Sequence, residues 1–234
     1  MLVLALDTAT TVVTAGLVAL PADGPPETLA ARAHDGRKHG ELLVPAVRAL
    51  CAEAGRELSG IGAVVVGAGP GPFTGLRVGI VSAAALGHAL DVPVHGVCSH
   101  DALALTAAGI AEPGAPDSRT GPDNLLVVTD ARRREVYWAA YDPAARRLTG
   151  PAVEPPAELA ARLPGLAVGT VVGDPSFADR LGAEVTGPSA PSPAALVGVA
   201  AAALRAGRTP EPVEPLYLRR PDAVEPTGRK RVTA

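Results

Sequence analysis

Two apolar runs, residues 2 to 6 and 12 to 19, flank the polar stretch Asp7-Thr8-Ala9-Thr10-Thr11, a pattern that predicts a strand, a turn and a second strand. Residues 41 to 54 place Leu43, Val47, Leu50 and Ala54 at helical spacing, with Glu41, Arg48 and Glu53 elsewhere around the wheel. This predicts a helix that Gly55 ends, with Pro45 tolerated near its first turn. Ala63 to Val66 is a short β-branched run suited to a buried strand. The glycine-rich stretch GAGPGPFTGLRVGI follows at 67 to 80, and the absence of proline from there to Pro93 predicts a helix of about 15 residues.

Strand, glycine-rich loop and helix is the setting in which amides at a helix N-terminus attract anions. The loop nevertheless meets neither familiar phosphate template. A Walker A loop needs a lysine, and none lies between Lys38 and Lys230; a GxGxxG fingerprint fails because Pro72 follows Gly67 and Gly69 at the third glycine position. A rigid turn whose glycines permit close packing is the favoured reading. In the helix beyond, Gly75, Gly79, Ala83 and Gly87 recur every four residues and form a stripe that lets another backbone approach. We expect that stripe to seat a partner helix.

A connector rich in proline and glycine spans 111 to 122, after which the opening pattern returns. Leu125 to Asp130, ARRR, and Val136 to Tyr141 again read as strand, aspartate, turn and strand, and Val171-Val172-Gly173 answers Val65-Val66-Gly67. The predicted fold class is α/β: two duplicated lobes of the actin, hexokinase and Hsp70 type, with mixed sheets flanked by helices. The expected divisions are a first lobe over 1–110, a second over 111–218 containing a helix over 194–204, and a flexible tail from 219. In that fold the two hairpin turns hold nucleotide phosphates, which makes Asp7, Thr8, Thr10 and Asp130 the candidate phosphate-turn residues. Both turns are altered, since Ala9 and the arginines after Asp130 stand where glycine lets a backbone approach phosphate. Turn-capping carboxylates that bond nearby amides explain Asp7 and Asp130 better.

Composition narrows the field further. The chain of 234 residues is 47% hydrophobic, ample for a core, and its net charge of -3 and 3% aromatic content leave no general field or stacking surface for nucleic acid. Arg132 to Arg134 read as a solvated turn or an RNA phosphate contact. Cys51 and Cys98 fit two packed thiols in a reducing compartment. The apolar start MLVLALD lacks a basic leader, and no apolar run is read as long enough for a membrane span, so a cytoplasmic location is expected. His34 with His39 and His95 with His100 are spaced five apart, which does not place two imidazoles on one helical face for a metal. Ser99-His100-Asp101 cannot form a triad as consecutive residues, and a helix N-cap at Ser99 accounts for it. No catalytic or metal-binding residue is assigned.

The pieces LALDTAT at 4 to 10, HGELLVPAV at 39 to 47, GAGPGPFTGLRVGI at 67 to 80, VVTDARRREVYWAAYD at 127 to 142 and EPLYLRR at 214 to 220 together resemble the TsaB (YeaZ) family from end to end. Gly40, Pro72 and Arg134 depart from the residues common there. The resemblance implies a non-catalytic scaffold that is no enzyme on its own. It would bind and activate the transferase TsaD, with the small ATPase TsaE, in making N6-threonylcarbamoyladenosine on tRNA, which it would meet through the complex. It further implies an interface in which the helices bearing Leu43, Val47, Leu50, Gly75, Gly79, Ala83 and Gly87 pack against TsaD. No cofactor is implied for the chain alone, with ATP or ADP admitted in the assembled complex and a homodimer left open as the state without TsaD. The TsaD motif HxxxH is absent. An actin-like small-molecule kinase or ATPase is the competing reading, and the old family label of metallopeptidase a third.

Overall fold

A computed structural model describes residues 1–35, 39–113 and 123–219. The opening hairpin is β1 (Leu2–Asp7) and β2 (Val12–Ala19), paired antiparallel with Asp7 opposite Thr14. An edge strand β3 (Glu27–Asp35) follows, then helix α1 (His39–Glu53), β4 (Ile61–Gly67), α2 (Phe73–Leu90), β5 (Val94–Val97) and α3 (Ser99–Ala108). The first sheet has the order β3-β2-β1-β4-β5, antiparallel through its first three strands and parallel through its last three.

The second half repeats the plan. Strands β6 (Asn124–Asp130), β7 (Val136–Tyr141), β8 (Arg147–Glu154), β9 (Val168–Gly173) and β10 (Val185–Thr186) form a sheet of order β10-β9-β6-β7-β8, with the same division into antiparallel and parallel pairs. Helices α4 (Pro156–Leu166), the single turn α5 (Ala178–Leu181) and α6 (Pro193–Arg205) complete it. In both halves the strands that the hydrophobic pattern predicted are central ones, covered on both faces and therefore apolar along most of their length. The edge strands β3 and β8 are largely exposed and left no such trace.

Packing does not follow chain order. Helix α6, which the sequence reading placed in the second lobe, lies against β1, β2 and β4 of the first sheet and against α3. One core fills the space between the sheets, where Val3, Ala5 and Val65 meet Leu103 and Leu105 of α3, Leu196 and Val197 of α6, and Leu125, Val127 and Tyr141 of the second sheet. Alternate residues of β1, Leu4 and Leu6, point the other way into a cluster with Val47 and Leu50 of α1 and Ala83 of α2. The second sheet buries Leu126, Val128 and Trp138 on its outer face with Leu159 and Phe177. The connector's residues 114–122 and the tail beyond Arg219 lie outside the described residues.

The stripe on α2 faces inward. Gly75, Gly79, Ala83 and Gly87 are all buried. A Cβ on Gly79 would lie 2.3 Å from the hydroxyl of Thr8, and one on Gly87 would lie 2.2 Å from a Val94 methyl. Val47 and Leu50 are likewise within the core, at 1% and 0% exposure, while the Leu43 side chain lies outside the described residues. The expected interface is therefore corrected at its six described residues. Small residues let α2 lie close on its own sheet, and that contact leaves them no surface for a partner. Gly79→Ala is expected to lower stability by about 1 to 3 kcal/mol, since Thr8 is buried, β-branched and held by a 2.7 Å bond to the Gly75 carbonyl. Thermal unfolding measures this, and a melting temperature equal to that of the parent protein would refute the contact.

At 18 residues and mean hydropathy 1.3, α2 also reaches the length and composition of a membrane span, which the reading of apolar runs did not recognise. Of that span 28% is buried within the chain, on the face formed by Gly75, Leu76, Gly79, Ala83 and Gly87.

Candidate functional site

The two hairpin turns and the glycine-rich loop converge between the sheets, where a fold of this plan holds nucleotide phosphates. Asp7, Thr8, Ala9 and Thr10 are all buried. One Asp7 carboxylate oxygen accepts the Ala9 amide at 2.9 Å, and the other accepts the Ser99 hydroxyl at 2.5 Å. Ser99 accepts the Gly69 amide at 3.2 Å in turn, so turn, loop and α3 are tied through one carboxylate. Burial pushes the Asp7 carboxyl up to about 6 against the pull of the Ser99 and Ala9 hydrogen bonds. Asp7 caps a nearby amide as expected. Ser99 does not cap α3: Cys98 holds that position and the Ser99 hydroxyl turns to Asp7 instead.

The loop glycines serve backbone approach. A Cβ on Gly67 would fall 1.8 Å from Asp7, and one on Gly71 would fall 2.4 Å from the Ala9 carbonyl oxygen and 2.8 Å from the Ala9 Cα. Loop backbone thus lies directly against the first turn. The remaining threonines turn inward as well: Thr8 donates to the Gly75 carbonyl, and Thr10 donates to the Val12 carbonyl at 2.8 Å.

Across the cleft, Asp130 accepts the Arg132 amide at 2.8 Å and pairs with the Arg132 guanidinium at 3.1 Å. Arg132, Arg133 and Arg134 all have positive φ, at 62°, 50° and 67°. Arg219 clamps this turn from the C-terminal segment, donating to the Ala131 carbonyl at 3.3 Å and pairing with Glu135. The cleft lined by Thr10, Thr11, Pro72, Asp130, Arg132 and Asp174 has a volume of about 10 Å³, room for roughly one water.

The consecutive Ser99, His100 and Asp101 diverge in space. His100 is buried, with Nε2 2.8 Å from the Thr129 hydroxyl, and desolvation, aided by Arg147, pushes its pKa down to about 3. Asp101 accepts from the Tyr141 hydroxyl at 2.9 Å and pairs with Arg147 at 3.3 Å. Cys98 lies beside it, its thiol pushed up to about 12 by burial and by Asp101, so it stays protonated. Both cysteines are buried and unbridged. No group of three or more metal-ligating side chains occurs among the described residues.

Sequence reasoning overlooked the outward face of α2. Phe73 stacks on Tyr217 at 5.1 Å between centroids, the Arg77 guanidinium lies 3.7 Å over the Phe73 ring, and Arg77 donates to the Tyr217 hydroxyl at 3.2 Å. Val81, one turn on, is 65% exposed. The residues Phe73, Arg77 and Val81 carry the same four-residue period as the glycines and could have been found from it.

The duplicated sheets and the position of the two turns define a protein with the actin-like ATPase fold. The family model described as TsaD, tRNA N6-adenosine threonylcarbamoyltransferase, matches residues 32–207, and the chain belongs to that family. Within it the chain is similar to TsaB (YeaZ) proteins. It is 35% identical to the tRNA threonylcarbamoyladenosine biosynthesis protein TsaB of Escherichia coli over 105 residues, covering 45% of this chain and 42% of that one. The structure of YeaZ from Pseudomonas aeruginosa superposes with a TM-score of 0.71 at 28% identity, covering 93% of this chain and 99% of that one. An uncharacterized protein of Mycobacterium leprae is 48% identical over 95% of this chain, which spans 56% of that relative's length. A relative of the same identity in Mycobacterium tuberculosis is matched over 93% of its length.

Proposed function

We propose that this chain is the non-catalytic, TsaB-type subunit of a cytoplasmic complex that makes N6-threonylcarbamoyladenosine on tRNA, where it binds and activates a TsaD-family transferase together with TsaE. The observation that carries the reading is the filled phosphate turn: Gly71 lies on Ala9, and both Asp7 oxygens are bonded within the chain. Such a turn supports a role without nucleotide chemistry of its own, with ATP or ADP entering only in the assembled complex. The exposed face of α2 is the docking surface, because Phe73 and Arg77 are preorganised by Tyr217 and Val81 is free to pack.

The test is reconstitution. This chain alone, given tRNA and threonylcarbamoyl adenylate, is expected to make no modified nucleoside, and adding TsaD and TsaE is expected to restore synthesis from ATP, bicarbonate and threonine. Modified nucleoside formed by this chain alone, seen by mass spectrometry, defeats the reading, and ATP turnover above background promotes the kinase or ATPase alternative. Val81→Arg is expected to leave the melting temperature within about 1 °C, because the site is exposed, and to weaken TsaD binding roughly a hundredfold. Calorimetry showing parental affinity would move the interface elsewhere.

A further inference from the structure

The turn between β6 and β7 presents a combination that packing does not explain. Three successive arginines, 132 to 134, hold left-handed backbone conformations, and all three side chains are exposed. Glycine, asparagine or aspartate adopts such positions with less strain, and an arginine run there opposes stability. The corresponding turn of the first sheet, Thr8 to Thr11, has no charged residue and is mostly buried, so the hairpin plan itself does not call for arginine. Strain kept at a surface site points to a function for the side chains.

The turn is also rigid. The Ala131 amide bonds the Glu135 carbonyl at 3.2 Å, the Glu135 amide bonds the Arg132 carbonyl at 3.0 Å, and Asp130 accepts the Arg132 amide. Arg219 adds a fourth guanidinium alongside, bound to Ala131 and Glu135. Among the described residues Arg132 pairs with Asp130 and Arg219 with Glu135, and Asp174 lines the same cleft, so the turn gathers four guanidinium groups at one place on a chain of net charge -3. The adjoining cleft, at about 10 Å³, has room for roughly one water, and the three arginine side chains lie exposed beside it.

We propose that the arginine turn, with Arg219, is a direct contact for the phosphodiester backbone of RNA. Guanidinium groups match phosphate oxygens with paired donors, and a fixed turn presents them with little ordering entropy left to lose. Pro72, the residue before Phe73, lines the same cleft as Arg132, which sets the turn beside the α2 docking face. RNA held by a partner on that face lies within reach of these side chains. The proposal rests on the reading of this chain as a subunit of a tRNA-modifying complex.

The experiment compares the parent with the triple variant Arg132→Gly, Arg133→Gly, Arg134→Gly, each assembled with its TsaD-family partner, using an unmodified tRNA transcript over a potassium chloride series. The variant should assemble with parental affinity, melt at or above the parental temperature, and bind tRNA about tenfold more weakly, with a slope of log K against log salt shallower by about 2. Replacement of the three by lysine should restore most of the slope. Parental tRNA affinity and slope in an intact glycine-variant complex overturn the RNA contact and leave the subunit reading standing. Loss of assembly in that variant overturns it in favour of a protein contact, and binding of free ATP that the substitution abolishes overturns it in favour of a nucleotide site. A parental complex that assembles but binds no tRNA overturns both readings.

Discussion

Gly71→Ala is expected to destabilise the protein by about 3 kcal/mol or more. The new Cβ would meet backbone, at 2.4 Å from the Ala9 carbonyl oxygen, 2.8 Å from its Cα and 2.9 Å from its carbonyl carbon. No side chain can rotate to relieve that contact. Ala9 is buried, and its amide is already bonded to Asp7. Against a total stability of about 5 to 15 kcal/mol the loss is severe. Gly165→Ala in α4 is the control, because a Cβ there meets nothing within 4 Å and alanine favours a helix. Chemical denaturation of the two variants measures the difference. Equal midpoints would mean that the loop does not lie on the first turn, and the argument that this turn is closed to phosphate would fall with it.

Asp7→Asn is expected to act in the opposite direction at neutral pH. The Asp7 carboxyl titrates at about 6 in the folded protein, above its ordinary 3.8, chiefly because burial disfavours the charge. The folded state therefore binds this proton more tightly than the unfolded chain does. The stability that follows is complete below about pH 4 and is lost as pH rises through 6, a total of about 3 kcal/mol. Asparagine is neutral throughout, but it cannot accept from both Ser99 and Ala9 as the carboxylate does, a loss of about 1 kcal/mol. The variant should gain about 2 kcal/mol at pH 7, or about 4 to 8 °C in melting temperature, and be slightly less stable than the parent at pH 4. His100, held down at about 3 in the folded state against its ordinary 6.5, and Asp101, whose carboxyl burial raises, contribute the same pH dependence to both proteins and cancel in the difference. A difference that stays constant from pH 4 to pH 7 would show that Asp7 is not the buried acid described.

Chain pattern alone determined the central strands, the duplicated hairpins and the glycine-rich turn. Strands covered on both faces must be apolar along their whole length, and a backbone that approaches another backbone must lack a Cβ. The altered phosphate turns were legible for the same reason, since Ala9 and three arginines stand where phosphate requires glycine. Tertiary structure decided what those features face. The stripe from Gly75 to Gly87 and the row Phe73, Arg77 and Val81 share one four-residue period, and periodicity assigns residues to a face of a helix without saying which face meets the sheet. Close contact with Thr8 and Val94 resolved that in favour of the glycines, turning the expected interface inward. Asp7 and Ser99 are separated by 92 residues and meet at 2.5 Å only because β1 and α3 converge beneath the loop, a juxtaposition without a local signal. The seat of α6 on the first sheet is of the same kind: an apolar helix must be buried, but only the folded arrangement of two sheets determines which of them offers the open face.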